Sequence, residues 1–71
     1  SKNAMFKAQT QWCVDNVVAP MVGQKIVGAI ISDDEAEYGF ILEDEKGARS
    51  HVWVLSDEEG NDAGYLSVEK P

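Results

Sequence analysis

The chain has 71 residues, enough for one small domain, and carries a net charge of -7 from 13 acidic and 6 basic residues. Its single cysteine excludes an intrachain disulfide, and its single histidine excludes a zinc site of several His and Cys ligands from one chain. The negative balance disfavours nucleic-acid binding, which normally requires a basic footprint, and no apolar run approaches the roughly 20 residues of a membrane helix. We therefore expect a cytoplasmic protein with no cofactor, no nucleic-acid partner and no membrane association.

The small size predicts self-association. A domain of this length buries only about 60% of the surface that its unfolded chain exposes, so it is marginally stable alone. Small domains compensate with disulfides, a metal or oligomerisation. Because the first two are disfavoured here, good packing or self-association remains, and we favour self-association, as a homodimer or a higher oligomer.

The first residues resemble an expression-tag remnant. Residues 1–4 read Ser-Lys-Asn-Ala and precede Met5, as a cleaved tag precedes an initiator methionine. We therefore place a single domain at residues 5–71.

The stretch from residue 6 to residue 18 predicts a helix of about three turns. It contains no Gly or Pro, and apolar residues recur at the spacing of one helical face: Val14, Val17, Val18 and Met21. Pro20 disfavours helical geometry at the preceding residue, so it ends, kinks or restarts the helix. Gly23 then fits a left-handed position after the helix.

The remainder of the chain predicts an antiparallel β-meander. Apolar, β-branched or alternating runs indicate four strands, at residues 25–31, 38–43, 49–55 and 65–68. A short polar segment that ends in Gly47 predicts a hairpin loop between the second and third strands, with this glycine at positive φ. All acidic residues except Asp15 and Glu69 lie in or beside the three connections after the first strand. That distribution is typical of solvated turns at the ends of a sheet.

One acidic loop imitates the start of a calcium-binding loop. Asp57, Glu59 and Asn61 occupy its first three ligand positions. The sixth position should be Gly and is Asp62, and the twelfth should be Glu and is Val68. The loop is therefore a weak candidate metal site, and a solvated turn is the favoured interpretation.

Four side chains are candidates for a ligand site or an interface: His51, Trp53, Tyr38 and Trp12. His51 is the one side chain suited to acid–base chemistry near neutral pH, and Glu43 could orient it across the predicted hairpin. Ser50 cannot pair with His51 locally, because adjacent residues on a strand point to opposite faces. Two tryptophans are hard to bury together in so small a core, which favours an interface position for one of them. We assign no catalytic residue.

The segments 39–43, Gly-Phe-Ile-Leu-Glu, and 52–61, Val-Trp-Val-Leu-Ser-Asp-Glu-Glu-Gly-Asn, resemble a group of short uncharacterised bacterial proteins. Some of that group are carried on mobile, integron-type gene cassettes. The resemblance covers about the last 45 residues of the chain. It supports the predicted hairpin, implies no assigned activity and transfers no site residues.

These observations predict an α+β fold in which an N-terminal helix packs on a three- or four-stranded antiparallel meander. The alternative is a small barrel formed by a strongly bent sheet. The predicted core contains the apolar residues of one face of the helix and one face of the sheet: Val14, Val17, Val18, Ile26, Ile30, Phe40, Leu42, Val52, Val54 and Leu66.

We expect a non-catalytic, homo-oligomeric binding or protein-interaction module rather than an enzyme. Two alternatives stay open. One is an acidic inhibitor or mimic that binds a basic protein partner. The other is a small-ligand binder whose pocket forms between subunits around His51, Trp53 and Tyr38.

Overall fold

The computed structural model describes residues 2–55 and 64–71. Helix α1, Lys2–Cys13, continues directly into a π-helical segment, Val14–Val18, and a 3-10 turn, Ala19–Met21. Four strands follow: β1 (Lys25–Ile31), β2 (Tyr38–Glu43), β3 (Arg49–Leu55) and β4 (Tyr65–Glu69). The predicted α+β class, with an N-terminal helix and an antiparallel sheet, is confirmed.

The sheet is an open meander in the order β1-β2-β3-β4, and each strand is antiparallel to its neighbour. Strands β1 and β4 are therefore its two edges. The alternative of a small closed barrel is wrong, because a closed barrel needs the first and last strands to pair, and four strands are too few to close around a filled interior.

Proline and glycine determine where the helical segment ends. The N–H of Ala19 donates to the Val14 carbonyl, five residues earlier, and the chain then tightens into the 3-10 turn. Pro20 lies at the start of this turn, where the backbone N–H has no partner within the turn, so the lack of an N–H in proline costs no hydrogen bond. Gly23 follows with φ 85°, which confirms the predicted left-handed position. The side-chain amide of Gln24 donates to the Pro20 carbonyl at 2.9 Å and holds the exit from the helix.

The β2–β3 hairpin has the predicted loop. The Asp44 N–H donates to the Ala48 carbonyl at 2.9 Å, and Gly47 adopts φ 84°, so its predicted positive φ is confirmed. The Asp44 carboxylate accepts hydrogen bonds from the N–H groups of Lys46 and Ala48, both at 2.9 Å. One aspartate therefore satisfies two loop donors and fixes the register of the two strands.

Alternation along β3 assigns the sheet residues to two faces. The core face carries Ser50 and Val52 together with their β2 partners Leu42 and Phe40. Val52 is fully buried, and Leu42 and Ser50 are nearly so. The opposite face, which we call the open face, carries the odd-numbered residues of β3.

The helical segment covers only one end of the core face. It approaches the sheet at β4 through Val14–Val18 and leads within a few residues into β1, at the other edge. The chain therefore crosses the width of the sheet before Lys25, which pairs with Glu43. Leu42 and Ser50, which lie one position further along β2 and β3 on the core face, are buried beside this crossing.

Part of the predicted core is wrong. Val14, Val18 and Ile26 are exposed. The sheet contacts Val14–Val18 through β4, so strands cover little of the apolar side of the helical segment, and Ile26 lies on the edge strand β1. The buried centre is reduced to Leu42 and Val52 among the apolar residues whose burial the structure describes.

Gly39 is required by a close approach of two backbones. A Cβ at this position would overlap the Val52 carbonyl oxygen and lie 3.1 Å from the Trp53 Cα. We expect Gly39→Ala to reduce the free energy of unfolding by about 1–3 kcal/mol, the usual cost of forcing extra volume into a packed site. Urea denaturation followed by circular dichroism measures the change.

Gly28→Ala is the matched control for that substitution. Its added Cβ would meet only the flexible end of Ile41, at 3.1 Å from Cδ1. We expect the free energy of unfolding to change by less than about 1 kcal/mol, because the gain in strand propensity offsets a small side-chain adjustment. Equal losses for both variants would contradict this interpretation of Gly39.

Candidate functional site

The structure separates the four candidate side chains into two regions. His51 and Trp53 lie together on the open face of β3, because they are two residues apart on one strand. Tyr38 lies on the core face, where it pairs with Val54. Trp12 lies on α1. The first pair borders a cavity, and the other two residues belong to an exposed apolar surface.

The cavity has a volume of about 550 Å³ and is formed by the open face of the sheet. Strand β3 contributes His51, Trp53 and Leu55, and β4 contributes Ser67 and Glu69. These residues share a face because Trp53 pairs with Ser67 and His51 pairs with Glu69 in the antiparallel register.

The far wall of the cavity comes from β1 and the β1–β2 loop. Ile30 lies on the far side of β2 from Trp53, and the β2 residue between them is Gly39. A glycine has no side chain to fill the space between an isoleucine and a tryptophan, and the close approach of Val52 prevents any larger residue there. The backbone geometry at Gly39 therefore keeps the cavity open.

An acidic rim lies at one end of the cavity. Asp33 and Glu37, from the β1–β2 loop, line it together with Ile31 and Ser32. Glu69 lines the cavity from β4, opposite His51 and away from this loop, and is a third carboxylate of the lining. No lysine or arginine belongs to the lining that the structure describes.

Hydrogen bonds within the β1–β2 loop hold the rim in place. The Ser32 N–H donates to the Glu37 carbonyl at 2.9 Å, and the Ser32 hydroxyl accepts the Glu37 N–H at 3.0 Å. The Asp34 carboxylate accepts the Ser32 hydroxyl and the Ala36 N–H. These bonds give the two rim carboxylates a defined backbone, although the loop is exposed.

His51 and Trp53 are arranged edge to face, with ring centroids 6.4 Å apart and planes at 89°. This is the favoured geometry for two aromatic rings and gives the pair a defined orientation. Glu43, which the sequence suggested as an orienting group, pairs with Arg49 in the register and accepts a hydrogen bond from its Nε at 3.1 Å. The carboxylate opposite His51 in the sheet is instead Glu69.

The described residues do not assemble catalytic groups around His51. Ser50 is buried on the core face, so the expectation that it cannot pair with His51 is confirmed. Cys13 is exposed at the end of α1. Within residues 2–55 and 64–71, no three His, Cys, Asp or Glu side chains are grouped as a metal site. The calcium-loop candidates Asp57, Glu59 and Asn61 lie outside the described residues.

A second surface consists of exposed large apolar side chains. The cross-strand pair Ile31 and Tyr38, 63% and 65% exposed, lies at the end of the core face away from the helical crossing. Trp12, on α1, is 60% exposed. The exposed large apolar side chains lie on the helical segment, on the connection to β1 and on strands β1, β2 and β4, and we call this set the apolar surface: Trp12, Val14, Val18, Val22, Ile26, Val27, Ile31, Tyr38 and Val68.

Several cavity residues escaped the sequence argument. Glu69 and Ser67 face the cavity only through the β3–β4 register, and the nine-residue connection between these strands leaves that register undetermined from sequence. In the sequence, Asp33 and Glu37 are typical of acidic residues in a solvated loop, so nothing marked them as part of a site. Ile30 and Gly39 could have been found from sequence. Side chains alternate between the two faces of a strand, so a known hairpin register would have placed both residues on the same face as Trp53.

None of the helices in the described part of the chain combines the length and apolar character that crossing a bilayer requires. Comparisons with protein-family models, with curated protein sequences and with solved structures gave no match to this chain. Function is therefore argued from the cavity and the apolar surface.

The rim loop gives a prediction on acidity. The hydrogen bonds from the Ser32 hydroxyl and the Ala36 N–H stabilise the charged carboxylate and lower the pKa of Asp34 below its ordinary value of 3.8. These hydrogen bonds to the charged carboxylate therefore stabilise the loop fully at pH values above the ordinary pKa of Asp34. The stabilisation is lost as pH falls through the lowered pKa of the folded protein. Titration of the Asp34 carboxyl carbon by NMR measures this pKa.

Ser32→Ala is the control for that titration. It removes the largest cause of the shift, so the pKa of Asp34 should rise toward 3.8. An Asp34 pKa that is the same with and without the Ser32 hydroxyl would show that this hydrogen bond does not hold the rim loop in solution.

Proposed function

We propose that this protein is a non-catalytic interaction module that functions as a homo-oligomer, assembled through the apolar surface. The observation that carries the proposal is the surface area of the single chain. The chain exposes 5723 Å², whereas a folded monomer of its mass, 7.8 kDa, exposes about 4,400 Å² on average.

The excess area matches what a stable interface needs. It amounts to about 1,300 Å² per chain, which is more than the roughly 800 Å² that a standard interface buries on each partner and within the range of obligate homodimers, about 1,000–2,500 Å² on each partner. The radius of gyration agrees, at 13.9 Å against about 11 Å for a compact domain of this length. A second copy that covers the apolar surface would bring the buried fraction into the ordinary range.

The chemistry of the apolar surface also favours a second copy. Nine large apolar side chains are exposed among the described residues, a large number for a chain of 71 residues, and this favours an interaction surface. Strand β1 is apolar on both alternating sets of residues, yet Ile26, Val27 and Ile31 are exposed. A strand of this composition is typical of a position that is covered on both faces.

The acidic-mimic alternative has less support from the described residues. The β1–β2 loop carries Asp33, Asp34, Glu35 and Glu37 at one end of the sheet, and the β2–β3 hairpin carries Asp44 and Glu45 at the other end. A mimic of a nucleic acid would need carboxylates arrayed along one face at the spacing of phosphates. We therefore do not propose it.

Tyr38→Glu and Trp12→Glu test the interface. Both side chains are exposed in the single chain, so the variants should fold, and each should weaken self-association about tenfold or more. Burying a large apolar side chain contributes about 1.5–3 kcal/mol, and 1.4 kcal/mol is a factor of ten in affinity. Sedimentation equilibrium measures the association constant.

Ala48→Glu is the matched control, because it adds the same charge at an exposed position in the hairpin loop, outside the apolar surface. It should leave the association constant nearly unchanged. A wild-type chain that sediments as a monomer at high concentration, or equal weakening by all three variants, would sink the proposed interface.

Salt dependence gives a second prediction. Two chains with a charge of -7 repel each other, and raising NaCl from about 0.01 to about 1 M shortens the Debye length from about 30 to about 3 Å. Self-association through an apolar surface should therefore tighten with salt. Weakening would instead indicate an interface held by ion pairs, as expected for a complex between an acidic mimic and a basic partner.

A further inference from the structure

We infer that the cavity on the open face is a binding site for a small organic cation, an alkylammonium attached to a short apolar body. The cavity's size, its apolar wall and its charge support this inference. The cavity is built by one chain on the face opposite Leu42 and Val52, and it shares Ile31 with the apolar surface.

The volume suits a small molecule. Ligand sites for small molecules occupy about 300–1,000 Å³, and this cavity holds about 550 Å³. The wall is apolar where Ile30, Trp53 and Leu55 line it. The cavity is open to solvent on one side, so an apolar body of a few carbon atoms would lose part of its contact with water there.

The indole of Trp53 is flanked by small residues across the sheet. Its cross-strand partners are Gly39 on β2 and Ser67 on β4, so no bulky side chain of a neighbouring strand stands directly beside it. On its own strand, His51 lies edge to face with the indole at 6.4 Å, and the remaining ring surface is available to a ligand. A ring with uncovered surface in a cavity attracts a cation through the negative charge of its π face. Tryptophan is the strongest of the aromatic residues in this interaction.

The charge of the lining selects the sign of the ligand. Asp33, Glu37 and Glu69 are carboxylates, and no lysine or arginine in the described lining offsets them. They come from two elements, the β1–β2 loop and β4, on two sides of the Trp53 indole. An anionic ligand would be repelled, and a cationic one would gain attraction from these exposed carboxylates that a neutral one lacks.

The test is a titration of the full chain followed by two-dimensional NMR. The probes are choline and 3,3-dimethyl-1-butanol, a neutral molecule of nearly the same shape. We expect choline to produce saturable shifts of the Trp53 indole N–H and of the Ile30 and Ser67 amides. The Trp12 indole on α1 is the internal reference and should not move.

Substitutions identify the groups that hold the cation. Glu69→Gln and Asp33→Asn should each weaken choline binding about two- to fivefold, the range for an exposed charge pair. Trp53→Leu should weaken it about tenfold or more. Glu45→Gln removes the same charge from the hairpin loop at the far end of the sheet and should change nothing. If Trp53→Leu fails to fold, Glu69→Gln and Asp33→Asn still show whether the cavity carboxylates hold the cation.

Three results would overturn the inference: no saturable shift of Trp53, equal affinity for the neutral alcohol, or equal weakening by Glu45→Gln. Nα-acetyl-lysinamide is the remaining probe, because a lysine side chain carries the same ammonium chemistry on a protein partner. If that probe binds more tightly than choline, the cavity recognises a lysine side chain of a peptide, and the inference of a small-molecule site is wrong. Self-association is measured separately, so either proposal can fail alone.

Discussion

The structure depends on one constraint: a single short helical segment is the one helical element available to pack on a four-stranded sheet in the part of the chain that the structure describes. The segment reaches the sheet at β4 and crosses it at the end where Lys25 pairs with Glu43. Val52 is fully buried, and Ile31 and Tyr38, at the other end of the same face, are exposed. A chain of this length supplies little second-layer surface, and within its described part Ile31 and Tyr38, at one end of the core face, are left exposed.

The two uncovered regions differ in chemistry because of the strand register. On the core face, the uncovered end presents Ile31 and Tyr38, which are apolar and suited to a protein surface. On the open face, Gly39 leaves a space between Ile30 and Trp53, and carboxylates border it. A shift of one residue in the β2–β3 pairing would exchange the two sets. Asp44 and Gly47 in the hairpin loop prevent that shift, so they influence both surfaces from a distance.

The sequence predicted the local structure well and the packing less well. Strands β1, β2 and β3 lie where alternation and the Gly47 turn placed them, because these signals are local. The exposure of Val14 and Val18 could not be predicted, because helical periodicity shows that a face is apolar but not what covers it. Two of the ten described residues that line the cavity, His51 and Trp53, were candidates from sequence. Glu69 and Ser67 join them through the β3–β4 pairing, which connects segments that are distant in sequence.

The cavity and the apolar surface adjoin at Ile31. This residue lines the cavity and also belongs to the exposed end of the core face, since it ends β1 just before the rim loop begins. A substitution at Ile31 would therefore disturb both the proposed ligand site and the proposed interface, and it could not tell them apart. Tyr38 does not line the cavity, and Glu69 is not one of the apolar residues. The two activities can be separated only at such positions, where the alternation of the strand directs each side chain to a single face.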